Sequence, residues 1–474
     1  MFRRELWRGT LRHQKTSKQI WWMTCRNLQQ ESWVKWLYDN DENLDKLKGG
    51  MKASLLTKRN HQKGDLIPYT FAQDFVSHYG TLKNMENKSR FFQLLSEKLG
   101  CNNEDIQNNM KLLKESMDTR DKLTHRHRHQ LSASLTPTYK QLFDDVSKLE
   151  DGVGFLVDMR KDLLFSQRKG FVPKTLELQT FDTFLKEHLA QWFAGGFLDL
   201  HQVTWDETSA DLMEKLMKYE AVHPIVNWND LKKRAAVGRR IFMFSHRLMP
   251  GEPLVVLYVL LGNHIPNNIQ NVLSSEQSVE DKEEITTATF YSISSTQRGL
   301  DGIGLGNVLI KRVVEELRRE FHNMKTFVTL SPIPGFKRWL DQQIKNHKVE
   351  GVSSRYGDLL ESSAMEHLRD DGWVKDMKKC NQLQPVLQSL CARYLLHEKR
   401  RGFAMDPVAN FHLRNGASLW RINWLANTEP RGLKSSHTLM VNYRYDLSQI
   451  ETNNLKYVMG GEITASESVL EIVS

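Results

Sequence analysis

Between Phe290 and Phe336 the chain commits to one local arrangement: strand, glycine-rich turn, helix, strand. The strand-like run Phe290-Tyr291-Ser292-Ile293-Ser294 leads into a turn holding Gly299, Gly302, Gly304 and Gly306. Leu309, Ile310, Val313, Val314, Leu317 and Phe321 then recur on one face of a helix, and Thr326–Leu330 reads as a second strand. A glycine-rich turn feeding a helix N-terminus lets backbone N–H groups approach an anion closely, and the helix dipole favours negative charge there. The turn is therefore expected to hold phosphate.

The rest of the chain narrows what that phosphate belongs to. The 474 residues exceed what one core usually organises, and the apolar and charged fractions are those of a globular protein. The longest apolar run, Leu254–Leu261, is far shorter than the roughly 20 residues that span a bilayer, so no membrane span is expected. Net charge is +9, but the first 28 residues carry seven basic residues against Glu5 alone. Six of the nine charges thus sit in that leader, which argues against a nucleic-acid partner. A basic, acid-poor start with scattered Phe2, Leu6, Trp7, Leu11, Ile20 and Trp21 has the composition of a mitochondrial transit peptide. A matrix location is expected, with the cytoplasm as the alternative. The last residues, Glu471–Ser474, are not a peroxisomal signal. Cys25, Cys101, Cys380 and Cys391 are scattered without a C-x-x-C pair, so neither a zinc site nor a disulfide framework is indicated.

Residues 29–192 read as helix after helix, with Gly100 placed as a left-handed cap. From residue 193 onward strands mix with helices. Arg240–Ser245 and Leu254–Leu260 flank Pro250-Gly251-Glu252-Pro253 as a hairpin. The expected fold is α+β: a leader over 1–28, a helical bundle over 29–192 and a mixed-sheet domain over 193–474. His125, His127 and His129 alternate in a basic stretch that reads as solvated loop rather than metal site.

Three places could carry chemistry. Gly302-x-Gly304-x-Gly306 lacks the acidic residue of a dinucleotide fold and the Gly-Lys-Ser/Thr ending of a P-loop. The remaining phosphate grip is the pyrophosphate turn of acyl-CoA-binding, acetyltransferase-like folds, with Lys311 and Arg312 close enough to assist. Ser331, braced by Pro332 and Pro334, ends a strand where ligands bind in open sheets, or caps the helix containing Trp339. Asp406 caps and Pro407 begins a helix that places His412 in its last turn, where the dipole favours protonation.

At these motifs the chain resembles the malonyl-CoA decarboxylase family. The matching blocks are Ala221–Pro224, Pro250–Leu257, Phe290–Ser294, Leu309–Val314, Leu330–Phe336, Pro407–Leu413 and Leu419–Trp424, in order across about residues 185–470. The resemblance implies a helical domain used for homo-oligomer (dimer or tetramer) contacts and a catalytic domain of the GNAT type. It implies conversion of malonyl-CoA to acetyl-CoA and carbon dioxide with no metal, biotin or other cofactor. Ser331 and His412 fall on the catalytic positions. Asp301, Gly302, Ile303, Gly304, Leu305, Gly306 and Asn307 fall on the CoA-binding turn, and Ser292 and Tyr445 on the pocket. The resemblance implies an acid at the position of Gly304, so either Asp301 substitutes, or another group orients His412, or activity is reduced. The competing readings are a CoA-dependent N-acetyltransferase and a malonyl-CoA-binding protein without turnover.

Overall fold

The computed structural model describes residues 66–473, apart from 120–121, 275–281, 348–355, 362 and 370. The expected leader lies outside the described residues. The chain divides into two compact units. One runs to Phe197 and includes Arg247–Met249 and Gln297–Ile303; the other holds Leu198–His246, Pro250–Thr296 and the chain from Gly304 on.

The first unit is helical: α1 (Leu66–Thr81), α2 (Met85–Lys98), α3 (Asn103–Asp118), α4 (Thr124–Ser134), α5 (Tyr139–Val146), α6 (Gly152–Lys169) and α7 (Leu176–Trp192). Asn84 caps α2 and Thr175 caps α7, each side chain accepting from the backbone N–H three residues on. Its core is aromatic: Phe75 meets Phe91 and Phe143, and Phe143 meets Phe181. Two readings change here. His125, His127 and His129 lie in α4, not in a loop, and no cluster able to hold a metal occurs among the described residues. Gly100 is not left-handed; a Cβ there would come within 2.7 Å of the Ser96 carbonyl oxygen, so close approach explains the glycine.

The second unit is built on a mixed sheet. Its strands are β1 (Asp199–Val203), β2 (Arg239–Ser245), β3 (Val255–Gly262), β4 (Thr287–Ser295), β5 (Thr326–Thr329) and β6 (Ser331–Pro332), then β9 (Ser418–Asn423) and β10 (Met440–Tyr445). A separate short pair joins β7 (Lys399–Arg400) to β8 (Phe403–Ala404). β1 to β4 are antiparallel neighbours, β4 and β5 are parallel, and β10 runs antiparallel to β5, β6 and β9. A parallel pair needs a crossover, supplied here by α10 (Leu305–Glu320), which follows α8 (Ala210–Tyr219) and α9 (Trp228–Arg234). Pairing of β4 with β5 ends at Phe290 opposite Thr329; β4 continues to Ser295 against β3 alone.

One face of the sheet packs Met243, Val256, Tyr258, Tyr291, Leu330 and Met440 with Met213 and Leu216 of α8 and Leu231 of α9. The opposite face carries the site. The helical block expected over Leu359–Lys399 is continuous only in α12 (Met377–His397), preceded by short 3-10 turns; α11 (Phe336–His347) and α13 (Pro407–Arg414) flank it in sequence.

Candidate active site

The turn before α10 is shaped by two left-handed glycines, Gly302 at φ +84° and Gly304 at φ +76°, the latter serving as N-cap. Only glycine adopts this region without strain. Within the helical unit, Arg160 is buried and donates to the Gly299 carbonyl at 2.6 Å and the Asp301 carbonyl at 3.0 Å, holding the Asp301-Gly302-Ile303 end of the turn. Within the sheet unit, Leu305, Gly306 and Asn307 form the first turn of α10, Asn307 donating its N–H to Gly304. A Cβ on Gly306 would sit 3.0 Å from the Phe411 ring, so glycine lets α10 lie against α13. Arg312 is committed elsewhere, donating to the Leu198 carbonyl and covering the Phe244 ring.

β5 and β6 run along one edge of β10 in an unchanged register, Val328 opposite Arg444 and Ser331 opposite Val441. The ladder is interrupted between them. There the Tyr443 N–H goes to the Thr329 hydroxyl at 3.1 Å, and the Asn442 amide donates to the Thr329 carbonyl at 2.7 Å. Successive side chains alternate faces, so Thr329 and Ser331 share one face with their β10 partners.

Over that face lies α13. Asp406 N-caps it through the Val408 and Ala409 N–H groups, with Pro407 at the first helical position as expected. The His412 ring reaches Ser331 and Tyr445: Nε2 is 3.1 Å from Ser331 Oγ, and Nδ1 is 2.8 Å from the Tyr445 hydroxyl. Tyr443 stacks on the imidazole, centroids 4.7 Å apart and planes 26° apart. The Ser331 hydroxyl donates to Thr329 Oγ1 at 2.8 Å. Ser331, His412 and Tyr445 are at most 5% exposed.

The expected protonation of His412 is reversed. Burial lowers its pKa to about 3, so desolvation outweighs the helix dipole and the ring is neutral at physiological pH. Burial likewise raises the Tyr445 phenol far above its ordinary range. Hydroxyls, not an acid, meet both ring nitrogens.

Ser331, His412 and Tyr445 are thus brought together, and Gly304–Asn307 open the helix that packs beside Phe411. Ser292 is not among them. It lies opposite Tyr258, facing α8, where it donates to both oxygens of the buried Glu220 carboxylate at 2.8 and 2.9 Å. Ser294 and the N–H groups of Val222 and His223 complete that carboxylate's shell. Thr329, Tyr443, Glu220 and the reach of Asp406 to the Gly335 N–H at 3.2 Å escaped sequence reading. A period-2 reading of the strand would have placed Thr329 beside Ser331.

Family comparison decides the lineage. The malonyl-CoA decarboxylase C-terminal domain matches residues 196–474, and its N-terminal domain matches 99–193. The chain belongs to the malonyl-CoA decarboxylase family. It is 40% identical over 420 residues to the mitochondrial malonyl-CoA decarboxylase of Mus musculus, covering 85% of each chain. Solved malonyl-CoA decarboxylases from Rhodopseudomonas palustris and Agrobacterium vitis match at TM-scores of 0.77 and 0.78. Each is 32% identical and covers 90% of this chain, and the match spans 99% and 98% of their own lengths. These malonyl-CoA decarboxylases therefore share both the helical part and the mixed sheet with the chain.

Proposed function

We propose that this protein decarboxylates malonyl-CoA to acetyl-CoA and carbon dioxide, with Ser331, His412 and Tyr445 as its reaction centre. The observation that carries the reading is the hydrogen-bonded hydroxyl–imidazole–hydroxyl set, buried and uncharged, in a chain of this family.

The chemistry follows from the geometry. When the bond between the carboxylate and the α-carbon breaks, its electron pair passes to the thioester oxygen and gives an enolate. Ser331 turns its hydroxyl onto that oxygen, and a preorganised donor of this kind is worth about 3–4 kcal/mol of barrier. The α-carbon then takes a proton from Nε2 of His412. A neutral imidazole serves because an enolate carbon is the stronger base, and Tyr445 O–H steadies the charge appearing at Nδ1. Oxygen and α-carbon are two bonds apart, so donors 3.1 Å apart can serve both. Water returns the proton to the ring after product leaves.

The turn from Asp301 to Asn307 takes the CoA diphosphate on its backbone N–H groups. The thioester is the substrate, and none of these steps draws on a cofactor. The relative's mitochondrial name and the basic leader support a mitochondrial location. Self-association proceeds through the helical domain at α3, where Met110 and Met117 stand 56% and 52% exposed.

The test is release of labelled carbon dioxide from malonyl-CoA alone, with no amine acceptor present. Ser331→Ala and His412→Ala should each lose most turnover while still binding acetyl-CoA. Near-wild-type turnover in both variants would reject the assignment.

A further inference from the structure

We infer that Thr329 is a positioning residue that decides which ring nitrogen of His412 carries the proton. Its hydroxyl oxygen has two lone pairs, and both are taken: one by the Ser331 hydroxyl at 2.8 Å, the other by the Tyr443 N–H at 3.1 Å. The second bond fixes the oxygen in space, because it replaces a rung of the β5–β6–β10 ladder. The first bond fixes a direction. With its only proton directed to Thr329, Ser331 can meet Nε2 only as an acceptor, so Nε2 must be the protonated nitrogen. Nδ1 is then the lone-pair nitrogen and accepts from Tyr445. The Ser331 O–H, the Nε2–H and the Tyr445 O–H then each have an acceptor within the series. The proton is thereby stored on the nitrogen beside Ser331, where the enolate would form.

Thr329 is fully buried and does not meet the imidazole itself, so any effect it has passes through Ser331. Two of its features can be separated by substitution. Valine keeps the shape and removes the acceptor; serine keeps the acceptor and loses only a methyl group. In Thr329→Val the Ser331 proton must find another acceptor, and Nε2 is the one within reach. The imidazole proton then moves to Nδ1 and is donated to Tyr445.

The experiment uses the full-length protein with ring-15N histidine, the His412 signals being those missing from His412→Gln. The wild type should show the proton on Nε2, Thr329→Val should show it on Nδ1, and Thr329→Ser should match the wild type. Tyr445→Phe, which leaves Thr329 in place, should keep the proton on Nε2 and gives a reading even if Thr329→Val does not fold. The kinetic arm rests on the decarboxylase reading: kcat of Thr329→Val should fall roughly a hundredfold, the low end of general-acid effects, with KM nearly unchanged and serine restoring activity. A wild-type proton on Nδ1, or one that stays on Nε2 in Thr329→Val, overturns the inference. Loss of the decarboxylase reading would show as absent turnover in the wild type and would leave the nitrogen assignment standing.

Discussion

Replacing Asp406 by asparagine should separate catalysis from stability. Asp406 is 1% exposed, and its carboxylate ties two segments together. Oδ1 accepts from Val408 and Ala409 at the start of the His412 helix, while Oδ2 accepts from Gly335, four residues after Ser331. The Tyr394 hydroxyl bonds the same group. Burial raises the Asp406 pKa from 3.8 to about 6 despite these bonds. Keeping it ionised at pH 7 therefore costs about 3 kcal/mol relative to a neutral group. Asparagine removes that cost and can still cap the helix through its oxygen. Its NH2 cannot accept from Gly335, however, and a hydrogen bond to a charged partner, about 1.5–3 kcal/mol, is lost. The two effects nearly cancel.

Asp406→Asn should thus melt within about 4 °C of the wild type, at 2–4 °C per kcal/mol. Its kcat should nevertheless fall ten- to a hundredfold, because the Ser331–Gly335 segment is no longer tied to the His412 helix and a small misplacement is costly. Asp406→Ala leaves the cap, Gly335 and Tyr394 without an acceptor and should lose roughly 2–4 kcal/mol as well as activity. Thermal unfolding and carbon dioxide release on the same samples decide it. A kcat within twofold of wild type in the asparagine variant would refute the tie, and a melting point lowered by more than about 10 °C would refute the desolvation argument.

Acid should destabilise the sheet unit. Burial holds His223, His412 and His437 at pKa values of about 4, 3 and 4, so each takes up a proton on unfolding below pH 6.5 and stability falls with pH. Asp406, raised to about 6, acts the other way between pH 6 and 4, leaving a net uptake of about two protons and a slope near 3 kcal/mol per pH unit; a flat urea midpoint from pH 6.5 to 5 would contradict this. Gly304→Glu forces a side chain into φ +76°, costing about 1–2 kcal/mol, and with both His412 nitrogens already bonded it should lower stability without raising kcat. Met110→Asp with Met117→Asp should shift the protein to a smaller species in sedimentation while leaving kcat per chain intact; an unchanged sedimentation coefficient counts against α3 as the contact.

Where local rules suffice, the sequence was readable. Asp406-Pro407 announces the His412 helix because capping and proline geometry act over three residues. The Pro250–Pro253 hairpin and the crossover helix after the glycine turn were equally legible, since both are set by turn chemistry and apolar period. What did not show was long-range. Thr329 matters because the chain returns 114 residues later as Tyr443. Glu220 claims Ser292 across 72 residues, which a strand pattern in β4 alone cannot reveal. The charge of His412 failed for a related reason: its helix position was right, but tertiary burial decided its ionisation.

That reversal bears on the chemistry. A cation beside the malonyl carboxylate would hold charge where it must leave, stabilising the ground state more than the enolate. Decarboxylation gains only from groups that bind better once charge has moved to the thioester oxygen. A neutral imidazole between two neutral hydroxyls meets that condition: each donor is weakly polarised at the start and strongly used at the end. Burial lowers the His412 pKa and raises that of Tyr445, and both shifts preserve the neutral forms. A carboxylate against Nδ1 would draw the ring toward imidazolium. In this chain Tyr445 occupies that nitrogen, and orientation is achieved without charge.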